Sequence, residues 1–292
     1  MILAIDMGNT NTVIGGIDET KTYFIERVTT DQGRTDTEYA VSFKNILEMH
    51  QIDIASIEGA ILSSVVPPVN STILNAVEKV TGIRPLLVGS GMKTGMNIIM
   101  DNPKTVGSDQ IVDAVAASHE HPLPLVVIDM GTATTLCTVD KKGNYIGGVI
   151  LPGLKVSLNS LSSKTAQLPY ISLEVPSHVI GKNTIDCMRS GIIYGNVDMI
   201  DGILDRMEKE LGEPPTIIAT GGLAKFITPL CRHKIVVDDA LLLKGLLILY
   251  RKNTEVHENR FRHPSAPALG RRTEPGLSYA DSPGFYFIST YS

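Results

Sequence analysis

Two short polar turns carry the residue types best suited to chemistry. Asp6-Met7-Gly8-Asn9-Thr10-Asn11-Thr12 follows the apolar run 2–5, and Asp129-Met130-Gly131-Thr132-Ala133-Thr134-Thr135 follows the apolar run 125–128. In each, a carboxylate ends a strand-like run. The glycine lets a ligand approach the main chain, and amides and hydroxyls stand ready for phosphate oxygens. Asp6 suits a hydrated magnesium ion, which favours few carboxylates together with phosphate oxygens. A single Asp-x-Gly turn is also what an ordinary hairpin produces. Its recurrence, matching at the Asp, the Met, the Gly and the last threonine and rich in threonine in both copies, points instead to duplicated lobes, because the separation is too long for a solenoid. Two such turns facing each other across a cleft would grip a polyphosphate from both sides.

A third carboxylate, Asp109, sits in Gly107-Ser108-Asp109-Gln110 at the start of a helix whose apolar side is Ile111, Val112, Val115 and Ala116. At that position it either accepts the proton of an attacking alcohol or complements the helix dipole, and spacing alone leaves both readings open. Asp129 likewise suits either a cation or the amides of its own turn. The seven histidines show no His-x-x-x-His or mixed metal pattern, so no transition-metal site is expected.

The elements that must position these residues alternate between strand and helix. Residues 2–5, 13–17, 22–28, 59–66 and 84–88 read as strands, with helices carrying Tyr39, Phe43, Ile46 and Leu47, then Ile73, Val77 and Val80. Thr35 or Asp36 caps the first of these helices. Residues 89–110 form a glycine-rich loop region. A second lobe begins near Leu125, with strands at 125–128, 136–139, 145–150 and 216–219 and helices near 154–162, 185–211 and 241–250. The segment 185–211 contains Gly191, Gly195 and Gly202, each costing on the order of 1 kcal/mol against alanine inside a helix. Gly191 and Gly195, four apart, suit the close approach of another backbone. The predicted organisation is an N-terminal lobe over 1–122, a C-terminal lobe over 123–252, and an irregular or disordered tail over 253–292, where prolines accumulate and apolar periodicity stops.

The chain has 292 residues, enough for two lobes at roughly 100–200 residues each. A net charge of −5 argues against a nucleic-acid footprint, which requires a basic face. Asp6 interrupts the first apolar run long before a membrane span is complete. The three cysteines, Cys137, Cys187 and Cys231, have no metal-ligand spacing and read as buried thiols in a reducing cytoplasm.

Further stretches extend the pattern: Ser63-Ser64-Val65-Val66-Pro67-Pro68, Asn102-Pro103 through Val106-Gly107-Ser108-Asp109, 147–153, Gly181-Lys182-Asn183-Thr184 and Thr220-Gly221-Gly222-Leu223-Ala224. With the two turns, and in this order, they resemble the type III pantothenate kinase family of the actin-like (ribonuclease H-like) ATPase superfamily, over residues from the first to about Tyr250. The resemblance implies an α/β fold of two duplicated lobes with ATP between them, and phosphorylation of pantothenate as the first step of coenzyme A synthesis. It implies Asp6, Gly8, Asn9, Thr10, Asn11, Thr12 and Thr132 around the phosphates, with Asp6 acting through Mg2+. It further implies Gly221 and Gly222 against the adenosine, Asp109 as general base, and a monovalent cation, K+ or NH4+, at Asp129. Pantothenate contacts fall on Met100, Gly107, Ser108, Asp109, Gln110 and Thr184, the last reached across a homodimer. The family usually carries Tyr, Arg and Asn where this chain has Met100, Gln110 and Asp113. The local charge is therefore less favourable to a carboxylate substrate, and weaker pantothenate binding is expected. Rival readings are a nucleotide-binding sensor that has lost acceptor chemistry, or a kinase of a related small alcohol.

Overall fold

A computed structural model describes residues 1–261. Strands β1 (Ile2–Met7), β2 (Asn11–Ile17) and β3 (Thr22–Thr29) form an antiparallel meander. β4 (Gly59–Ser64) and β5 (Leu86–Leu87) add in parallel, giving the order β3-β2-β1-β4-β5. The second sheet repeats the plan. β6 (Leu125–Met130), β7 (Ala133–Val139) and β8 (Tyr145–Pro152) are antiparallel, and β9 (Thr216–Thr220) and β10 (Val236–Val237) add in parallel, in the order β10-β9-β6-β7-β8. The chain thus has an actin-like fold of two similarly built α/β lobes. Two-residue β10 has too little sequence to announce itself and is absent from the sequence reading.

The central strands are apolar on both faces because both are covered. Along β1, Leu3, Ile5 and Met7 pack with Tyr39, Phe43 and Leu47 of helix α1 (Asp36–Met49) and with Ile73 and Val77 of α2 (Asn70–Thr81). Thr35 caps α1 in a reciprocal capping box with Glu38. Ile2 and Ala4, on the alternate face, meet Val112 and Val115 of α3 (Ser108–Glu120) and Leu243, Leu246 and Leu247 of α7 (Leu241–Phe261). In β6, Val126, Ile128 and Met130 pack with α4 (Leu154–Lys164) and α5 (Thr184–Leu211), while Leu125 and Val127 face Ala114 and Ala117 of α3. Helix α3 is therefore packed between the two sheets. The short α6 (Ala224–Ile227) follows β9.

Three sequence expectations change. Helix α7, expected in the second lobe, returns to the first sheet and lies so close to α3 that a Cβ at Gly245 would collide with Val112 O. That helix also runs to Phe261, past Asn253 where a tail was expected, and the remainder of that segment, 262–292, lies outside the described residues. Cys187 is exposed and Cys231 partly so, leaving Cys137 as the one buried thiol of the three. Cys187 lies in the first turn of α5, where the preceding segment approaches it, with its thiol donating to Gly181 O at 3.4 Å, yet leaves it open to solvent. Helix α5 is continuous through Gly191, Gly195 and Gly202, and a Cβ at Gly191 or Gly195 would meet open space. No helix among the described residues is long and apolar enough to cross a membrane.

Candidate active site

Strand parity decides where the acids point. Asp6 shares the face of Ile2 and Ala4, Asp129 shares that of Leu125 and Val127, and both faces look toward α3. Asp109 lies in the first turn of α3, and Asp113 follows one turn later on the same side. The four carboxyls consequently act on one another. Burial, then Asp109 and Asp129, push Asp6 up to about 7 against a hydrogen bond from Ser63. Burial and Asp109 push Asp129 up to about 6, with Arg27 opposing. Burial also raises Asp109, whose Oδ1 accepts from Gln110 N at 2.8 Å. Asp113 is 2% exposed and its Oδ1 has no hydrogen-bond partner. Burial, followed by Asp129, Asp109, Asp6 and Asp238, raises its carboxyl well above the usual range. So many carboxyls facing so little positive charge make a strongly electronegative centre that added cations would relieve.

The two turns meet at their tips, where Thr10 Oγ1 and Thr132 Oγ1 are 2.8 Å apart. In the first, Gly8 N donates to Asn11 O at 3.0 Å, and Asn9, Thr10 and Asn11 are exposed. Thr12 is fully buried, its hydroxyl 2.9 Å from that of Thr30, and Thr30 also donates to Gly8 O at 2.8 Å. Thr30, which follows β3, thus braces the turn. In the second turn Gly131 N donates to Ala133 O at 3.0 Å, and Gly153 N, before α4, donates to Thr132 O at 3.1 Å. Gly221 has φ +92°, and a Cβ there would stand 2.6 Å from Asp129 Oδ1, so only glycine lets β9 turn this closely past β6.

At the head of α3, Ser108 is anchored to the end of β4: its Oγ is 3.0 Å from Ser63 Oγ, donates to Ser64 O and accepts from Ser64 N. Gly107 leaves room for the Asp109 carboxylate, which a Cβ would strike. Gln110 Oε1 accepts from Tyr145 Oη at 2.8 Å. Tyr145, at the start of β8, carries no sequence signal of its own. It also pairs through its backbone with 97–99, so the loop from the first lobe crosses to the second here. Met100 sits just beyond, partly exposed, with Sδ above Gly147. Thr184, the first residue of α5, is exposed, and no hydrogen bond among the described residues ties its side chain to the acidic cluster. No group of three or more His, Cys, Asp or Glu among the described residues is arranged to hold a metal ion by itself.

A model of the type III pantothenate kinase family matches residues 2–206. The chain belongs to the type III pantothenate kinase family. It is an ATP-dependent kinase that phosphorylates pantothenate for coenzyme A synthesis, a transferase to an alcohol. Among solved structures, the kinase is similar to a Campylobacter jejuni protein described as a Baf family transcriptional activator, at 18% identity and a TM-score of 0.55, over 87% of this chain and 100% of that one. It is also similar to (R)-2-hydroxyglutaryl-CoA dehydratase component A of Acidaminococcus fermentans, at 15% identity and a TM-score of 0.51, over 87% and 98%. At such identities these likenesses concern the fold.

Proposed function

We propose that Asp109 is the general base that takes the proton of the pantothenate hydroxyl as the phosphoryl group transfers. The observation carrying this reading is the convergence of Asp109, at the buried head of α3, with Asp6 and Asp129 from the two lobes. Phosphoryl transfer asks a protein chiefly for positioning and charge neutralisation. The exposed tips at Asn9, Thr10, Asn11 and Thr132 would hold the phosphates, and Gly221 and Gly222 would receive the adenosine. Asp6 would hold Mg2+ together with phosphate and water oxygens, since no all-protein cage is present among the described residues. Asp129 would hold a monovalent cation, K+ or NH4+. Bound there, these ions supply the positive charge that the cluster lacks.

Gln110 offers pantothenate only a neutral hydrogen bond, and its carbonyl oxygen is already engaged by Tyr145. Acceptor binding is accordingly weak. The kinase acts as a homodimer in the cytoplasm. Support for the dimer comes from the second lobe, where Tyr170 is 78%, Val179 67% and Ile180 83% exposed in the single chain, and where a Cβ at Gly191 or Gly195 would meet open space. Thr184 stands on the same helix and would reach the partner's site.

The test is Asp109→Asn, assayed by ADP release with ATP, magnesium and potassium, with and without pantothenate. Turnover should fall by roughly 10²–10⁴-fold while ATP binding is retained. Near-normal turnover removes Asp109 from the mechanism, and ADP release indifferent to pantothenate in the unmodified chain would favour another acceptor.

A further inference from the structure

A pocket of about 510 Å3 opens between the lobes, with Ile25 and Arg27 of β3 on one side and Gly221, Gly222 and Lys225 on the other. Arg27 occupies a defined place in it. Asp6 pairs with Val13 and Val13 with Arg27, so the three stand in one row across the first sheet. Residues directly opposite on neighbouring strands project from the same face, which puts Arg27 on the face of Asp6, two strand spacings or roughly 10 Å away. Across the cleft, a Cβ at Gly222 would stand 3.2 Å from Arg27 Nη1. Asp129 also feels this guanidinium, the one charge that opposes the upward shift of its carboxyl.

The neighbours of Arg27 are already engaged: Glu26 with His50 Nε2 at 2.9 Å, and Lys225 with Asp239. The side chain of Arg27 itself, among the described residues, has no hydrogen bond or ion pair. A guanidinium presents planar donors that match phosphate oxygens two at a time. Placed in the cleft with Gly221 and Gly222 opposite, it has a phosphate chain as its natural partner.

We infer that Arg27 binds the phosphate chain of the nucleotide from the first lobe, closing the pocket over Gly221 and Gly222. The inference rests on the reading that adenosine lies against those two glycines. Calorimetric titration of ATP, ADP and adenosine into the full chain, without acceptor, tests both. Arg27→Gln should weaken ATP and ADP by about ten-fold or more, the loss of a charge-assisted hydrogen bond, and leave adenosine affinity and thermal stability unchanged. Arg27→Lys should recover part of the loss. Gly222→Leu, which fills the pocket at a position with ordinary φ, should weaken all three ligands. If Gly222→Leu does so and Arg27→Gln does not, the role of Arg27 is overturned while the adenosine site stands. If Arg27→Gln weakens adenosine as much as ATP, or lowers the melting temperature, Arg27 is a latch between the lobes and not a phosphate ligand. If Gly222→Leu leaves all three affinities unchanged, the adenosine site itself is misplaced.

Discussion

In the first lobe the turn after β1 runs from Gly8 to Asn11 before the chain re-enters the sheet; in the second lobe the turn after β6 closes one residue sooner, from Gly131 to Ala133. Both begin Asp-Met-Gly, yet their surroundings differ. The first is braced from below by Thr30, at the end of the neighbouring β3, and leaves Asn9, Thr10 and Asn11 exposed. The second is braced by Gly153 at the head of α4, which occupies the carbonyl of Thr132. A duplicated motif therefore does not imply duplicated duty. The longer turn offers more unengaged polar groups to a phosphate chain. The shorter one offers chiefly Asp129 and the Thr132 hydroxyl.

The sharpest way to break this asymmetry is to remove each turn's carboxylate. Asp6→Asn should lower turnover by about 10²-fold or more, as expected when the magnesium ion that neutralises the transferring group loses its carboxylate. Asp129→Asn should cost less and erase any preference for potassium over sodium. Steady-state rates in the two salts would measure this, and equal losses for both variants would mean that the turns share one role.

A smaller effect is expected at the glycines. A Cβ at Gly8 would lie 3.1 Å from Asn11 O, tighter than ordinary contact, whereas one at Gly131 would lie 3.6 Å from Ala133 O. Gly8→Ala should thus weaken ATP by about ten-fold, equivalent to about 1.4 kcal/mol, while Gly131→Ala binds nearly as the parent does. Nucleotide titration of the two variants side by side would show it, and the reverse order would contradict the difference in turn geometry.

The smallest effect concerns Asp113, which neither turn employs. Because its carboxyl is raised in the fold, the folded chain retains a proton that the unfolded chain releases as pH climbs through the ordinary carboxylate range. Stability from this group is complete at low pH and is lost as pH rises toward the raised value. Asp113→Asn removes that loss, so its melting temperature should exceed the parent's by ~2–4 °C at pH 8, the size of a ~1 kcal/mol gain, and converge with it near pH 4. A constant offset across pH would show that Asp113 is ionised in both states.

Much of the chemistry was legible in the chain. An apolar run broken by Asp-x-Gly at 6 and again at 129 announces strand, turn and strand, because backbone pairing and a tight reversal are local requirements. Thr35 with Glu38 marks the start of α1 for the same reason. Apolar periodicity, by contrast, reports that a face is buried but not what buries it. Nothing in 241–250 distinguishes a helix that covers its own lobe from one that returns to the other sheet. Cys187 was misjudged for a similar reason, since exposure on α5 depends on whether anything packs over that side.

The residues alone determined two lobes built to one plan, the acidic strand ends, the glycine-lined turns and a carboxylate at the head of a helix, since each follows from short-range sterics and hydrogen bonding. Only the tertiary structure decided that α3 lies between the sheets, that strand parity turns Asp6 and Asp129 toward it, that Asp113 is sealed in without a partner, and that Arg27 reaches Gly222 across the cleft. Those facts depend on contacts between residues far apart in the chain. Their geometry is set by how sheets and helices close-pack, which no local pattern encodes.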